Sequence, residues 1–379
     1  MSIEGKLSIN LTVEKGRVSK IDILSSRPLK AASVLEDKRI EQTLVLLPRL
    51  FSICATAQST AAVRAAASAL NRPSRVNIEA GRDMLVLFET AREHVLRIAL
   101  DWPRLLNESV EASWAAPLTT LVKDAESALF KEGAFTLEPE LTGDTHSIQQ
   151  LADILASRVF GQDCDDWLDG LNTEKWQAWA EQGDTVAARL VGHVRTSGWS
   201  QSGSITPAFL PTLDDVELSQ RFNDEFVARP DWQGGVFETT SLARQQSHPL
   251  VAALSAEQGS GIETRLAAKL VELASVKAAL KELSHKLTMN EQSETGKNGI
   301  GQAEAARGRL VHSIELADDS VSSYRILAPT EWNFHPEGAV AQSLATLSED
   351  DEQVMRTQAA LLIETIDPCV GYELNISNA

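Results

Sequence analysis

The sequence predicts a mainly α-helical protein with small β elements, arranged as a helical bundle with a β-hairpin near each end. Three patterns carry this. From Leu7 to Leu24 apolar and polar residues alternate around Glu14-Lys15-Gly16-Arg17, the period-two signature of an antiparallel hairpin. Residues 308 to 329 alternate again across Asp318-Asp319. Between and beyond them, apolar residues recur at helical spacing over 35–50, 53–70, 82–100, 117–130, 146–159, 173–196 and 339–366.

Taken in order, Ser52 is placed to cap the second helix, and Asn71 and Pro73 mark its end. The segment from 197 to 260, with its Ser, Gly, Gln and Pro residues, reads as an irregular insertion or a partner-facing segment. Ile262, Leu266, Leu270, Leu273, Leu280, Leu283 and Leu287 then form one stripe near heptad spacing. This is the pattern of a bundle core helix, or of a helix that docks a partner. Residues 290–302, carrying Ser293, Gly296, Asn298, Gly299 and Gly301, read as a polar loop. The whole of 1–379 is read as one large domain.

Composition excludes several classes of function. Hydrophobic residues make up 43% and charged residues 23%, as in folded soluble chains. With a formal net charge of -18 and no dense Lys/Arg block, binding to nucleic acid or anionic lipid is not expected. No apolar run reaches membrane-span length, and MSIEGKLSIN lacks the basic start of a signal peptide, so a cytoplasmic location is expected. Cys54, Cys164 and Cys369 are odd in number and widely spaced, which argues for free thiols or metal ligands rather than a disulfide framework. No Gly-x-Ser-x-Gly elbow, phosphate loop or paired Cys-x-x-Cys is present.

Five short motifs occur in an informative order. Ile3-Glu4-Gly5-Lys6-Leu7 opens the first hairpin, and Arg49-Leu50-Phe51-Ser52-Ile53-Cys54 follows. Later come Glu304-Ala305-Ala306-Arg307-Gly308-Arg309-Leu310-Val311-His312, Pro329-Thr330-Glu331-Trp332-Asn333 and Asp367-Pro368-Cys369-Val370-Gly371-Tyr372. Together they resemble the E-G-H-L, R-x-C-G-x-C, E-A-P-R-G-x-L-x-H, P-T-x-W-N and D-P-C-x-x-C motifs of the [NiFe]-hydrogenase large subunit. That family folds as a helical bundle in which the early and late cysteine pairs converge on nickel and iron. The resemblance is carried by residues 1–70 and 300–379, and the middle supports it as a helical bundle.

The departures from the family are chemical. Phe51 and Tyr372 stand where one cysteine of each pair would be, so two of four thiolates remain, and phenylalanine cannot ligate. Lys6, Gln58 and Asn375 replace histidines, and Ala306 replaces a proline. Ten residues follow Cys369, and no cleavable tail is evident among them. The combination is similar to the HupK/HoxV group of hydrogenase expression and formation proteins, which implies a maturation scaffold or chaperone and no enzyme activity.

By that resemblance, Cys54 and Cys369 would ligate a transient Fe(CN)2CO unit, with no stable nickel. Arg307 would donate to cyanide nitrogen, Thr330 would contribute a hydroxyl, and Glu4 would accept a proton near a thiolate. Implied partners are Hyp-type maturation chaperones and the hydrogenase large-subunit precursor. A metal-free binding module that imitates the large subunit is the alternative, and a degenerate hydrogenase subunit a third.

These readings fix a geometric expectation. Cys54 and Cys369 should share one cavity with Arg307 and Glu4, while Phe51 and Tyr372 occupy the places of the missing thiolates. Cys54, near a helix N-terminus, should be a better thiolate than a free cysteine. Cys164, Trp332, His312 and His335 read as structural residues.

Overall fold

A computed structural model describes residues 5–28, 31–293 and 296–379. The alternation at the start folds as expected: β1 (Leu7–Glu14) buries Leu7, Ile9, Leu11 and Val13 on one face and pairs antiparallel with β2 (Arg17–Ser25). Its other edge takes up the last strand of the chain in parallel, giving a three-stranded sheet in which β1 is central.

The helical stretches form, with breaks that periodicity does not mark. The 35–50 stretch is a 3-10 turn at Ala31–Leu35 followed by α1 (Ile40–Leu50). Asp37, at φ 61°, turns the chain between them. The next helix, α2 (Ala55–Ala69), is capped by Cys54 itself and not by Ser52. The third, α3, is longer than expected, running over Val76–Leu100. The 173–196 stretch divides into Thr173–Gln182 and Val186–Thr196, because Gly183 ends the first in the left-handed conformation. The 339–366 stretch likewise divides into Ala339–Ala345 and Glu352–Ile366.

The stripe from Ile262 becomes α4 (Ile262–Lys286), which packs on α3 and on the helices at 147–155, 241–245 and 249–258. Buried on every side through its first half, it is a core helix of the bundle. The 197–260 segment carries four short helices, at Asp215–Arg221, Asp224–Ala228, Ser241–Gln245 and Pro249–Gln258, with Leu218, Phe226, Leu242 and Leu250 buried. The 290–302 loop is shorter than expected, since β3 (Ile300–Ala305) already begins within it.

The C-terminal hairpin is β4 (Gly308–Ala317) and β5 (Ser320–Leu327), and β3 completes this second three-stranded sheet. It lies against α2, whose Ala-rich face (Ala57, Ala61, Ala65) lets the strand come close. The final helix, α5 (Glu352–Ile366), starts on the Asp351 side chain, which accepts from Gln353 N and Val354 N. It ends at Asp367, and β6 (Tyr372–Asn378) then returns to β1. No described helix is long and apolar enough to cross a membrane.

Candidate functional site: a shared cysteine cavity

Sheet and helix together bring the two ends of the chain to one point. Cys54 is held at the start of α2, and Cys369 in the short turn between α5 and β6, where Leu7 N donates to Gly371 O at 3.0 Å. The two thiols are near enough to act on each other's acidity, and they line a small cavity of about 20 Å³ with Phe51, Gln58 and Arg27. That is room for about one water molecule, which needs roughly 10–15 Å³.

Arg307 lies beside the pair, fully inside the protein. Its Nη1 donates to Cys54 Sγ at 3.3 Å and to Glu93 Oε2 at 3.1 Å, and its Nε to Asp367 Oδ1 at 3.1 Å. Thr330 reaches Cys369, since its Oγ1 accepts from Cys369 N at 3.3 Å, and its hydroxyl helps to lower the thiol. Of the residues singled out in the sequence, Cys54, Cys369, Arg307 and Thr330 are therefore together. Glu4 lies outside the described residues.

The charge distribution differs from the expectation. The neighbouring Cys54 thiol, aided by Arg307, Thr330 and Arg27, outweighs burial and brings the Cys369 thiol down to about 7. Cys369 and burial in turn push Cys54 well up. Of the two thiols, Cys369 is the one that gives up its proton more readily. Cys54 gains little from its helix because the Glu89 carboxylate already accepts from Thr56 N and Ala57 N, both at 2.9 Å. That carboxylate also opposes a second negative charge nearby.

The other sequence-marked residues are placed as follows. Phe51 is buried and lines the cavity, as expected of a ring standing for a thiolate. Tyr372 does not line it: parallel pairing with Leu7 draws it into β6, where it lines a wider cleft of about 440 Å³. Gln58 Oε1 accepts from His312 Nε2 at 2.8 Å, and His312 Nδ1 meets the Tyr324 hydroxyl at 2.8 Å. Burial brings His312 down to about 3, so it is a neutral structural group.

Ala306 offers its carbonyl to Arg244 at 2.9 Å, Lys6 pairs with Glu373, and Asn375 bonds Asn10, the last two at the surface. Cys164 is buried near Trp167 and lines neither cavity, and Trp332 packs against Phe226 and Phe237.

Arg27, Asp367, Glu93 and Glu89 were not singled out from the sequence. Asp367, at φ 65° and buried, accepts from Arg307 and Arg97 and sits 3.5 Å from Lys269, and these cations hold its carboxyl well below the usual range. Its signal was its place in the Asp-Pro-Cys motif. Glu93 and Glu89 stand four apart on α3, a spacing that puts both on one face.

Comparison with known proteins bears on the fold and on the kind of relative. Structures of hydrogenase large subunits share the fold. A NAD+-reducing [NiFe]-hydrogenase in the H2-reduced state superposes with a TM-score of 0.64 at 15% identity, covering 94% of this chain and 93% of that one. A [NiFeSe] hydrogenase from Desulfovibrio vulgaris Hildenborough does so with a TM-score of 0.62 at 16% identity, covering 95% and 94%. The family model described as nickel-dependent hydrogenase matches residues 207–371.

In sequence, the hydrogenase expression/formation protein HoxV of Cupriavidus necator is 29% identical, over 98% of this chain and 97% of its own length. HupK of Rhizobium leguminosarum bv. viciae is 28% identical over 99% and 97%. HupV of Azotobacter chroococcum is 27% identical over 99% of each. Over nearly its whole length this chain is therefore similar to HupK/HoxV-type hydrogenase expression/formation proteins, and it has the fold of hydrogenase large subunits.

Proposed function

We propose that this chain is a non-catalytic maturation protein for [NiFe]-hydrogenase, one that holds the Fe(CN)2CO unit between Cys54 and Cys369 and passes it to the large-subunit precursor. The observation that carries the reading is the meeting of one early and one late thiol beside the buried Arg307. The names of the full-length relatives, hydrogenase expression/formation proteins, support it. Among the described residues no group of three or more His, Cys, Asp or Glu is placed to hold a metal ion. An iron bound here takes two thiolates and brings its remaining ligands with it. Such a ligand set suits iron already bearing soft diatomic ligands, and two thiolates are too few for nickel in its four-thiolate site.

The residues divide the work. Cys369 supplies the ready thiolate, and Cys54 gives up its proton when iron binds, so loading tightens as pH rises. Arg307 turns its guanidinium toward the sulfurs, where it donates to cyanide nitrogen. Thr330 holds the backbone of Cys369 through its hydroxyl oxygen. Transfer takes place in the cytoplasm, with Hyp-type chaperones upstream and the precursor downstream. The test is infrared absorption and iron analysis of protein purified from cells that express the maturation genes. Cyanide and carbon monoxide bands are expected, and Cys54→Ala/Cys369→Ala should lack them. Wild-type protein without bands or iron under every condition overturns the carrier reading.

The cavity volume favours a second reading. At about 20 Å³ the space is smaller than an iron with three diatomic ligands, so loading requires the lining side chains to part. A metal-free binding module needs no such opening. Unchanged co-purification of maturation proteins, with full hydrogenase activity in cells carrying only Cys54→Ala/Cys369→Ala, would establish the module.

A further inference from the structure

Arg27 belongs to none of the five motifs, yet its side chain lines the small cavity together with both cysteines. Arg307 does not line that cavity but lines the wider cleft, which Cys369 also lines. Cys369 therefore has two guanidinium groups near it, contributed by distant parts of the chain. We propose that Arg27 is the anion-selecting residue of this cavity, a second cationic wall that admits a negatively charged, cyanide-bearing unit and donates to its nitrogen ends.

Its placement is fixed in advance. Arg27 Nη1 donates to Glu331 Oε1 at 3.2 Å, and both side chains are 14% exposed. Among the described residues the guanidinium makes no other hydrogen bond, which leaves donors for a ligand. Arg27 lines the cavity and Glu331 does not, and the Arg27 charge is close enough to Cys369 to help lower its thiol. The backbone at 25–27 is pinned as well. Ser26 N donates to Lys6 O at 2.9 Å, and a Cβ on Gly5, at φ 74°, would meet Arg27 Cα at 2.5 Å. The glycine of the opening motif thus permits the close crossing that sets Arg27 over the site.

The charge logic is local inversion. A chain of net charge -18 repels anions over most of its surface, so an anionic cargo needs a cationic pocket at its destination. Arginine suits the task because it stays charged when partly buried and offers several donors in a fixed plane.

This inference rests on the carrier reading for the identity of the cargo, and the experiment separates the two. In cargo-free protein, the rate of Cys369 alkylation by anionic iodoacetate is divided by that for neutral iodoacetamide, with mass spectrometry of the Cys369 peptide. The ratio cancels any change in thiol acidity and leaves charge selection. Arg27→Gln should lower it about threefold to tenfold, the scale of one nearby charge in a partly screened site, and Arg27→Lys should keep most of it. Glu331→Gln, which removes the opposing charge, should raise it.

A ratio unmoved within twofold in both Arg27→Gln and Glu331→Gln overturns the proposal. Should Arg27→Gln fail to fold, an unmoved or lower ratio in Glu331→Gln does so alone. Infrared spectra of protein loaded in cells form the second arm. Arg27→Gln should carry less iron and shift the cyanide bands more than the carbon monoxide band. An Arg27-dependent ratio in a wild-type protein that never shows cyanide bands would leave the anion site standing and remove the cargo reading. Equal loading with unshifted bands would remove Arg27 from cargo recognition.

Discussion

At the scale of single residues, a helix N-terminus is not a free resource. The position of Cys54 suggested an acidified thiol, but the first amides of α2 are already engaged by Glu89, and the acidity passes to Cys369. Alkylation with iodoacetamide across pH 5–10 should show Cys369 reacting with an apparent midpoint near 7 and Cys54 lagging far behind. Cys54→Ala should raise the Cys369 midpoint, because the Cys54 thiol is the largest influence lowering it. Equal rates for both thiols at every pH would refute that difference in acidity. Asp367 supports the same pair through Arg307. Its folded value is depressed, so the stability it contributes is full above the unfolded aspartate value near 3.9 and is lost as pH falls below it. Asp367→Asn leaves Arg307, Arg97 and Lys269 without their shared buried anion. Urea unfolding at pH 7 should show a loss of roughly 3–5 kcal/mol.

At the scale of elements, helix identity was legible and helix composition was not. The α4 stripe was visible from Ile262 to Leu287, but the same helix also buries Glu263, Arg265, Lys269 and Glu272, which in sequence look like a solvated face. Each is buried with a partner supplied from elsewhere: Trp176 for Glu263, Glu238 for Arg265, Asp367 for Lys269, and His94 with Arg244 for Glu272. Periodicity sees one strand of sequence at a time and cannot register partners that arrive from other helices. The contact of α2 with β3 was illegible for the same reason. Gly301 crosses α2 so closely that a Cβ would lie 2.2 Å from Ala61 O and 2.3 Å from Ala65 N. Gly301→Ala should therefore push β3 off the helix that carries Cys54, at a cost of about 1–3 kcal/mol. A lowered melting temperature, together with faster alkylation of Cys54, is the expected result. Wild-type values for both would show that the backbone yields at no cost.

At the scale of the whole molecule, the site depends on the closure of the chain upon itself. The two hairpins were legible because alternation is a local signal. The parallel pairing of β6 with β1 was not, since nothing in either strand names a partner more than 350 residues away. Only the order of motifs at the two ends suggested that they meet. The pairing places Gly371 against Leu7 and lets Leu374 and Ile376 pack on the core, so it anchors one side of the turn that carries Cys369, while Asp367 anchors the other. Deleting residues 372–379 should remove the burial of two apolar side chains, about 2–3 kcal/mol in all. It should also free the Cys369 turn from β1. Its consequence for the site is larger than for the fold, because a thiol that swings away from Cys54 loses the neighbour that acidifies it. The truncated protein is expected to melt several degrees lower, and its Cys369 should titrate closer to an ordinary thiol, measured by the same alkylation profile. If the melting temperature falls while the Cys369 midpoint stays near 7, then Asp367, Pro368 and Thr330 alone position the thiol, and the closing strand serves stability only.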